Sequence, residues 1–179
     1  TAYHEAGHAL VHCERFPEDP LDFLSVEPSH DVLGFMAVAL DETHHCPTKK
    51  EIRGFIQVAL AGREAECLAP HGLTDHEVIH NTGASNDLRV ATKWARKAVL
   101  DYGMDEKYGY VVYTFGNDAD QHLPPFAHAR VKAWIDDGAS EVRSLLKNKL
   151  PALRVVADAL IENQKLNHDE IVDLIRSAK

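Results

Sequence analysis

Two histidines and a glutamate stand together at the start of the chain, as His4-Glu5-Ala6-Gly7-His8 within Thr1-Ala-Tyr-His-Glu-Ala-Gly-His-Ala-Leu-Val11. This is an H-E-x-x-H pattern. On a helix, residues four apart are stacked neighbours, so both imidazoles can reach one metal ion. Glu5 projects from the flank of the same turn, near a water on the metal but poorly placed to be a ligand itself. Zinc held by two histidines lacks one protein ligand and leaves its last position to water. The ion lowers the pKa of that water to about 7, and the neighbouring carboxylate takes the proton. The chemistry implied is zinc-assisted hydrolysis, most often of a peptide bond.

The pattern occurs twice, however, because residues 76 to 80 read His76-Glu77-Val78-Ile79-His80. Context separates the copies. The first continues into Ala9-Leu10-Val11 with no breaker before Pro17, room for about four helical turns. The second lies between Pro70, Gly72 and Thr74 on one side and Asn81-Thr82-Gly83 on the other, with room for little more than one turn. The first copy is therefore the expected metal site.

A third ligand must come from elsewhere. In Asn81-Thr-Gly-Ala-Ser-Asn-Asp-Leu-Arg-Val-Ala-Thr92, Gly83 ends a loop and Ser85 or Asn86 can cap a helix that keeps period through Leu88, Ala91, Ala95, Ala98 and Val99. Asp87 then falls in the first turn, where the helix dipole and free N–H groups favour a carboxylate. An aspartate there is also an ordinary capping residue. Glu64 and Glu66, in Ala61-Gly-Arg-Glu-Ala-Glu66, are rivals, and the chemistry alone leaves the three open.

These pieces carry a resemblance. The first motif, Ala61-Gly-Arg-Glu-Ala-Glu66, Thr82-Gly-Ala-Ser-Asn-Asp87 with Ala91-Thr92, Tyr102-Gly-Met104 and a C-terminal Asp169-Glu-Ile-Val-Asp-Leu174 follow one another at nearly the spacing of a known set. Together the chain resembles the peptidase domain of the FtsH-type, membrane-anchored, ATP-dependent zinc metalloproteases, over almost its whole length. The resemblance implies one zinc per chain held by His4, His8 and Asp87, with Glu5 as the catalytic base and Glu64 and Glu66 as structure. It also implies polypeptide substrates, unfolded or membrane proteins, delivered by an ATPase module to a homo-hexamer. Departures lie at Gly34-Phe-Met-Ala-Val-Ala-Leu40 and Asp41-Glu-Thr-His-His-Cys-Pro47, where the family has a Gly- and Pro-rich strand region, a Leu-Pro turn and a Ser-Lys helix start. They bear on substrate preference more than on hydrolysis. No G-x-x-x-x-G-K-[ST] phosphate loop occurs, so ATP use would need a module outside this chain or in trans. Because Thr1 opens directly on the motif, a parent chain extending further towards the N-terminus is expected.

Length and composition fit one domain over residues 1–179. The net charge of −9 argues against nucleic acid and anionic membrane surfaces as partners, since both reward basic patches. Cys13, Cys46 and Cys67 are odd in number, well separated and without C-x-x-C, the usage of a reducing compartment. No apolar run approaches the roughly 20 residues that span a bilayer. With an anchor in sequence outside this chain, the expected location is the cytoplasmic side of a membrane or an organelle matrix or stroma.

The elements that must position these groups read as mainly α with a small sheet or hairpin. The first helix ends before Phe16-Pro-Glu-Asp-Pro20. Residues 23 to 28 and 32 to 40 form a predicted hairpin, able to pair with an extended substrate or simply to cover the core. Thr48-Lys-Lys-Glu51 is a capping box that opens a helix to Ala69, in which Gly62 allows close packing at the metal site. Tyr110-Val-Val-Tyr-Thr-Phe115 is a possible strand. Pro124-Pro125 opens a helix to about Lys149, Pro151 another to Gln164, and Asn167-His-Asp-Glu170 caps a last short one.

Other clusters carry weaker readings. His44-His45-Cys46 has the residue types for a second metal, but adjacent side chains rarely converge. His12 extends the His4/His8 stripe and reads as a packed histidine, and Arg89 and Lys93 as a solvated face. Two other classes compete with the hydrolase. Glu5-x-x-His8 and Glu77-x-x-His80 formally pair as a di-iron carboxylate site, although that needs long helices for both. A non-catalytic assembly module keeping the protease fold is the other, and no ligand or base is missing to favour it.

Overall fold

The computed structural model describes residues 1–26, 35–37, 46–69, 82–112 and 123–178. Helix α1 (Ala2–Arg15) runs without a breaker to Phe16, whose N–H bonds back to the His12 carbonyl, and Pro17 prevents continuation. Helix α2 (Lys49–Glu66) begins at the expected capping box: Glu51 N–H donates to Thr48 Oγ1 at 3.2 Å and Thr48 N–H to Glu51 Oε2 at 2.7 Å. The two helices lie antiparallel and unusually close. A Cβ on Gly7 would stand 2.5 Å from Ala65 Cβ and 2.7 Å from the Ala61 carbonyl oxygen, so only glycine admits this approach.

A 3-10 turn, Thr82–Ala84, leads into α3 (Ser85–Arg96), which loosens into a π turn at Lys97–Asp101. Here expectation and structure differ. Neither Ser85 nor Asn86 caps α3; Ala84 occupies the N-cap position with no side-chain bond, because the 3-10 turn feeds directly into the helix. The long α4 (Pro125–Asn148) has proline in its first turn, where a missing N–H costs nothing. Then come α5 (Leu150–Asn163), a left-handed Gln164 with φ 63°, and α6 (His168–Ser177), capped by Asn167 in a second capping box with Glu170.

The fold is mainly α with a small sheet, as expected. Strands β1 (Phe23–Ser25) and β2 (Phe35–Ala37) pair antiparallel, Leu24 opposite Met36. A third strand, β3 (Lys165–Asn167), flanks β1 on the other side, Leu24 opposite Leu166, in the order β2-β1-β3. It escaped the sequence reading because three residues with one buried leucine carry no alternation to detect. Tyr110, Val111 and Val112 are exposed and form no strand; the rest of that predicted strand lies outside the described residues.

Two apolar clusters hold the helices, and α2 serves both. Its Ala61 and Ala65 face Leu10, Val11, Leu146, Leu153, Val156 and Leu160. Ile52, Ile56 and Leu60 face Ala95, Val99, Val131 and Trp134. Each fully buried leucine or isoleucine contributes about 1.5–3 kcal/mol, so α2 is fixed from both sides. The turn after α3 is tied to α4 through Asp105, 3 % exposed, which accepts from Arg130 Nη2 at 2.8 Å and Trp134 Nε1 at 2.7 Å. Burial pushes the Asp105 carboxyl up, but these bonds and one from Tyr108 N–H outweigh it and hold it at about 2. Among the described residues, no helix is long and apolar enough to cross a membrane.

Candidate metal centre

The first turns of α1 point His4 and His8 along one stripe towards α2 and α3. Their Nε2 atoms lie 3.1 Å apart, and Asp87 Oδ2, from the first turn of α3, stands 3.1 Å from His4 Nε2 and 3.4 Å from His8 Nε2. This is the one group of three such side chains among the described residues that converges tightly enough to hold a metal ion. A zinc tetrahedron with bonds of 2.0–2.1 Å has ligand–ligand edges of about 3.3 Å, so the observed triangle has the right size.

The far side of each ring is also held. His8 Nδ1 donates to the Val58 carbonyl oxygen at 2.6 Å, which leaves Nε2 with its lone pair directed at the cluster. Glu66 Oε1 stands 3.2 Å from His4 Nδ1, at ion-pair distance although outside hydrogen-bond alignment. A carbonyl and a carboxylate behind two imidazoles form the outer layer that fixes tautomer and ring orientation in metal sites.

Gly62 supplies the space. A Cβ there would fall 2.5 Å from His8 Nε2 and 2.6 Å from His4 Nε2. Thus α1 and α3 meet across α2 at a position with no side chain to separate them.

The electrostatics follow from this crowding of acceptors. Burial alone would lower the His4 pKa, but the Asp87 and Glu66 carboxylates reverse that and raise it to about 9. For Asp87, burial works upward and the two imidazoles prevail, holding the carboxyl well below its ordinary range. Three acceptors gathered this closely need a shared proton or a cation between them. The donor set, two imidazole nitrogens and one carboxylate oxygen, fits zinc. Glu5, 6 % exposed, lies one residue from His4; burial raises its pKa, against the opposing pull of His8 and His4.

The other candidates go elsewhere. Glu64 forms a two-pronged pair with Arg143, at 2.8 and 2.9 Å, facing away from the cluster. His12 is buried and donates from Nε2 to the Asp19 carbonyl oxygen at 2.9 Å. Arg89 and Lys93 are exposed. The second H-E-x-x-H copy, with His76, Glu77 and His80, and the pair His44-His45 lie outside the described residues, while Cys46 is exposed. Sequence reasoning missed the Val58 carbonyl, which no side-chain pattern could reveal, and the service of Glu66 behind His4. The signal for the latter was its position one turn beyond Gly62.

A mainly helical fold with an H-E-x-x-H helix lying across a carboxylate-bearing partner has the pattern of a metallopeptidase. The chain belongs to peptidase family M41, whose family model matches residues 1–174. It is similar to proteins named "ATP-dependent zinc metalloprotease FtsH". Identity is 33 % over 180 residues with that of Thermus thermophilus, covering 95 % of this chain and 28 % of the relative. It is 32 % over 193 residues with that of Ruminiclostridium cellulolyticum, covering 99 % and 30 %. With that of Neorickettsia risticii it is 30 % over 180 residues, covering 98 % and 28 %. The chain thus spans under a third of the length of these curated relatives.

Proposed function

We propose that this chain is a zinc-dependent endopeptidase domain, with His4, His8 and Asp87 as the ligands of one zinc ion and Glu5 as the general base. The observation that carries the reading is the convergence of two imidazole nitrogens and one carboxylate oxygen, within 4.8 Å of one another, beside a buried glutamate on the same helix. Zinc bound there supplies Lewis-acid polarisation of the scissile carbonyl and acidifies a water. Glu5 takes the proton of the attacking water and returns it to the leaving amine. Burial suits Glu5 to both steps, because a carboxyl pKa raised by desolvation makes it a stronger base than an exposed glutamate. His8, fixed through Val58, and His4, backed by Glu66, keep their Nε2 atoms aimed at one point.

The relatives are named ATP-dependent, which extends the proposal to coupling with an ATPase module carried outside this chain. The family resemblance read from the sequence adds unfolded or membrane-protein substrates and a hexameric assembly at the cytoplasmic face of a membrane or in an organelle matrix or stroma. The test is metal content and peptidase activity. Wild type is expected to hold about one zinc, with His8→Ala and Asp87→Ala greatly weakening it and His80→Ala leaving it intact. Glu5→Gln should keep the metal and lose hydrolysis. Metal loss in His80→Ala but not in Asp87→Ala would refute the ligand set, and two irons per chain would replace it with a di-iron centre. Zinc without peptidase activity, even after fusion to an ATPase ring, would leave an assembly module.

A further inference from the structure

About two turns from the metal cluster, the same three helices bring three aromatic rings together. Phe16 caps α1, Phe55 lies on α2 and Trp94 on α3. Phe16 and Phe55 stack with centroids 5.1 Å apart, and Phe55 meets Trp94 at 4.9 Å with the planes tilted by 40°. All three are half-buried. The Phe16 ring is seated on backbone, because a Cβ on Gly54 would come within 2.6 Å of its Cζ. Lys97 Nζ stands 5.1 Å from the Trp94 ring centre.

The rings and the cluster lie along one face of α2. On α2 the stripe Phe55, Val58, Gly62 has helical spacing, and it forms a floor that α1 and α3 flank. At one end His4 and Asp87 meet over Gly62; at the other Phe16 and Trp94 meet Phe55. Asp87 and Trp94, about two turns apart, lie on the same side of α3. The seven residues from Asp87 to Trp94 rise about 10.5 Å, the length of about three residues of extended polypeptide.

We propose that the Phe16–Phe55–Trp94 shelf is a specificity subsite that takes an aromatic or large aliphatic side chain about three residues from the scissile bond. The inference rests on the peptidase reading of the cluster. A hydrolase that cuts an extended chain gains register from contacts remote from the reacting carbonyl. The rings offer stacking surface to an apolar side chain, and the Lys97 ammonium beside Trp94 opposes a basic one.

The test uses zinc-loaded Glu5→Gln protein, which keeps the ligands, and Gly/Ser peptides of about nine residues in which one Phe is walked along the chain. Binding is read by anisotropy of the labelled peptide. One Phe position should bind about five- to tenfold tighter than Gly, and tighter than Arg at the same place. Trp94→Leu and Phe55→Leu, which keep an apolar side chain but remove the ring, should abolish that preference with zinc content unchanged. A preference that survives both changes, or no favoured position, overturns the subsite. Cleavage of the same peptides by the protein with Glu5 intact separates the two readings. Hydrolysis without a Phe preference sinks only the subsite; a ring-dependent preference without hydrolysis, even after fusion to an ATPase ring, sinks the peptidase and with it the register of the subsite to a scissile bond.

Discussion

Gly62→Ala should remove the metal while leaving the fold intact. The added methyl carbon would lie 2.5 Å from His8 Nε2 and 2.6 Å from His4 Nε2, against an ordinary contact of 3.4–4 Å. One side must therefore give by about 1 Å, whereas ligand distances at zinc tolerate only about 0.2 Å. The rings cannot easily retreat. His8 is bonded to the Val58 carbonyl at 2.6 Å on its far side, and His4 is backed by Glu66 at 3.2 Å. A loss of at least about 100-fold in zinc affinity is expected, or about 2.7 kcal/mol. Helix propensity moves the other way, since alanine exceeds glycine by about 1 kcal/mol inside a helix. Competition against a chromophoric chelator measures the affinity, and thermal unfolding in excess chelator measures the metal-free fold. Wild-type affinity in the variant would refute the argument that Gly62 makes room for the ligands. So would a metal-free variant melting well below wild type, because the loss would then be one of structure.

Glu66→Gln should weaken zinc by about tenfold without removing it, since outer partners of ligating histidines typically contribute 10–100-fold; the same chelator competition reads it. Asp105→Asn should cost about 2–3 kcal/mol in urea unfolding, because it leaves Arg130 and Trp134 facing an uncharged amide. The native carboxyl sits at about 2 against an ordinary 3.8, so its contribution is present above about pH 4 and disappears as the pH falls towards 2. In Asp105→Asn that acid limb, about 2 kcal/mol, should be missing from the stability–pH curve. Thr48→Ala breaks the capping box of α2 and should cost about 1 kcal/mol by the same unfolding assay; no change would mean that packing alone sets the start of that helix.

Local signals wrote the helices into the sequence. Thr48 with Glu51 and Asn167 with Glu170 mark starts by reciprocal bonds within one turn, and Pro17 marks an end by sterics, so neighbouring residues alone determine these boundaries. Features that depend on distant partners were not legible. β3 exists because Leu166 finds Leu24, far away in the chain, and α3 starts through a 3-10 turn although two good capping residues stand at its head. The site divides in the same way. His4 and His8 form a pair by helix spacing alone, but Asp87 reaches His4 across 83 positions of sequence. Residue chemistry could not choose among Asp87, Glu64 and Glu66, and only the resemblance to a family ranked them. In the structure the three carboxylates take three partners: Asp87 the Nε2 face of the histidines, Glu66 the back of His4, and Glu64 the guanidinium of Arg143.

That division shows what the small residues contribute. A carboxylate from α3 can approach the α1 imidazoles only if α2, lying between them, offers no side chain at the crossing, and Gly62 meets that condition. Gly7 meets a second one: α1 must lie against the Ala61–Ala65 backbone for His8 to reach the Val58 carbonyl. Both glycines are unfavourable inside helices, by about 1 kcal/mol each relative to alanine. Helix propensity alone would replace them. The proposed metal geometry requires them, so a glycine inside a helix, opposite an H-E-x-x-H turn, points to a carboxylate arriving from a third element.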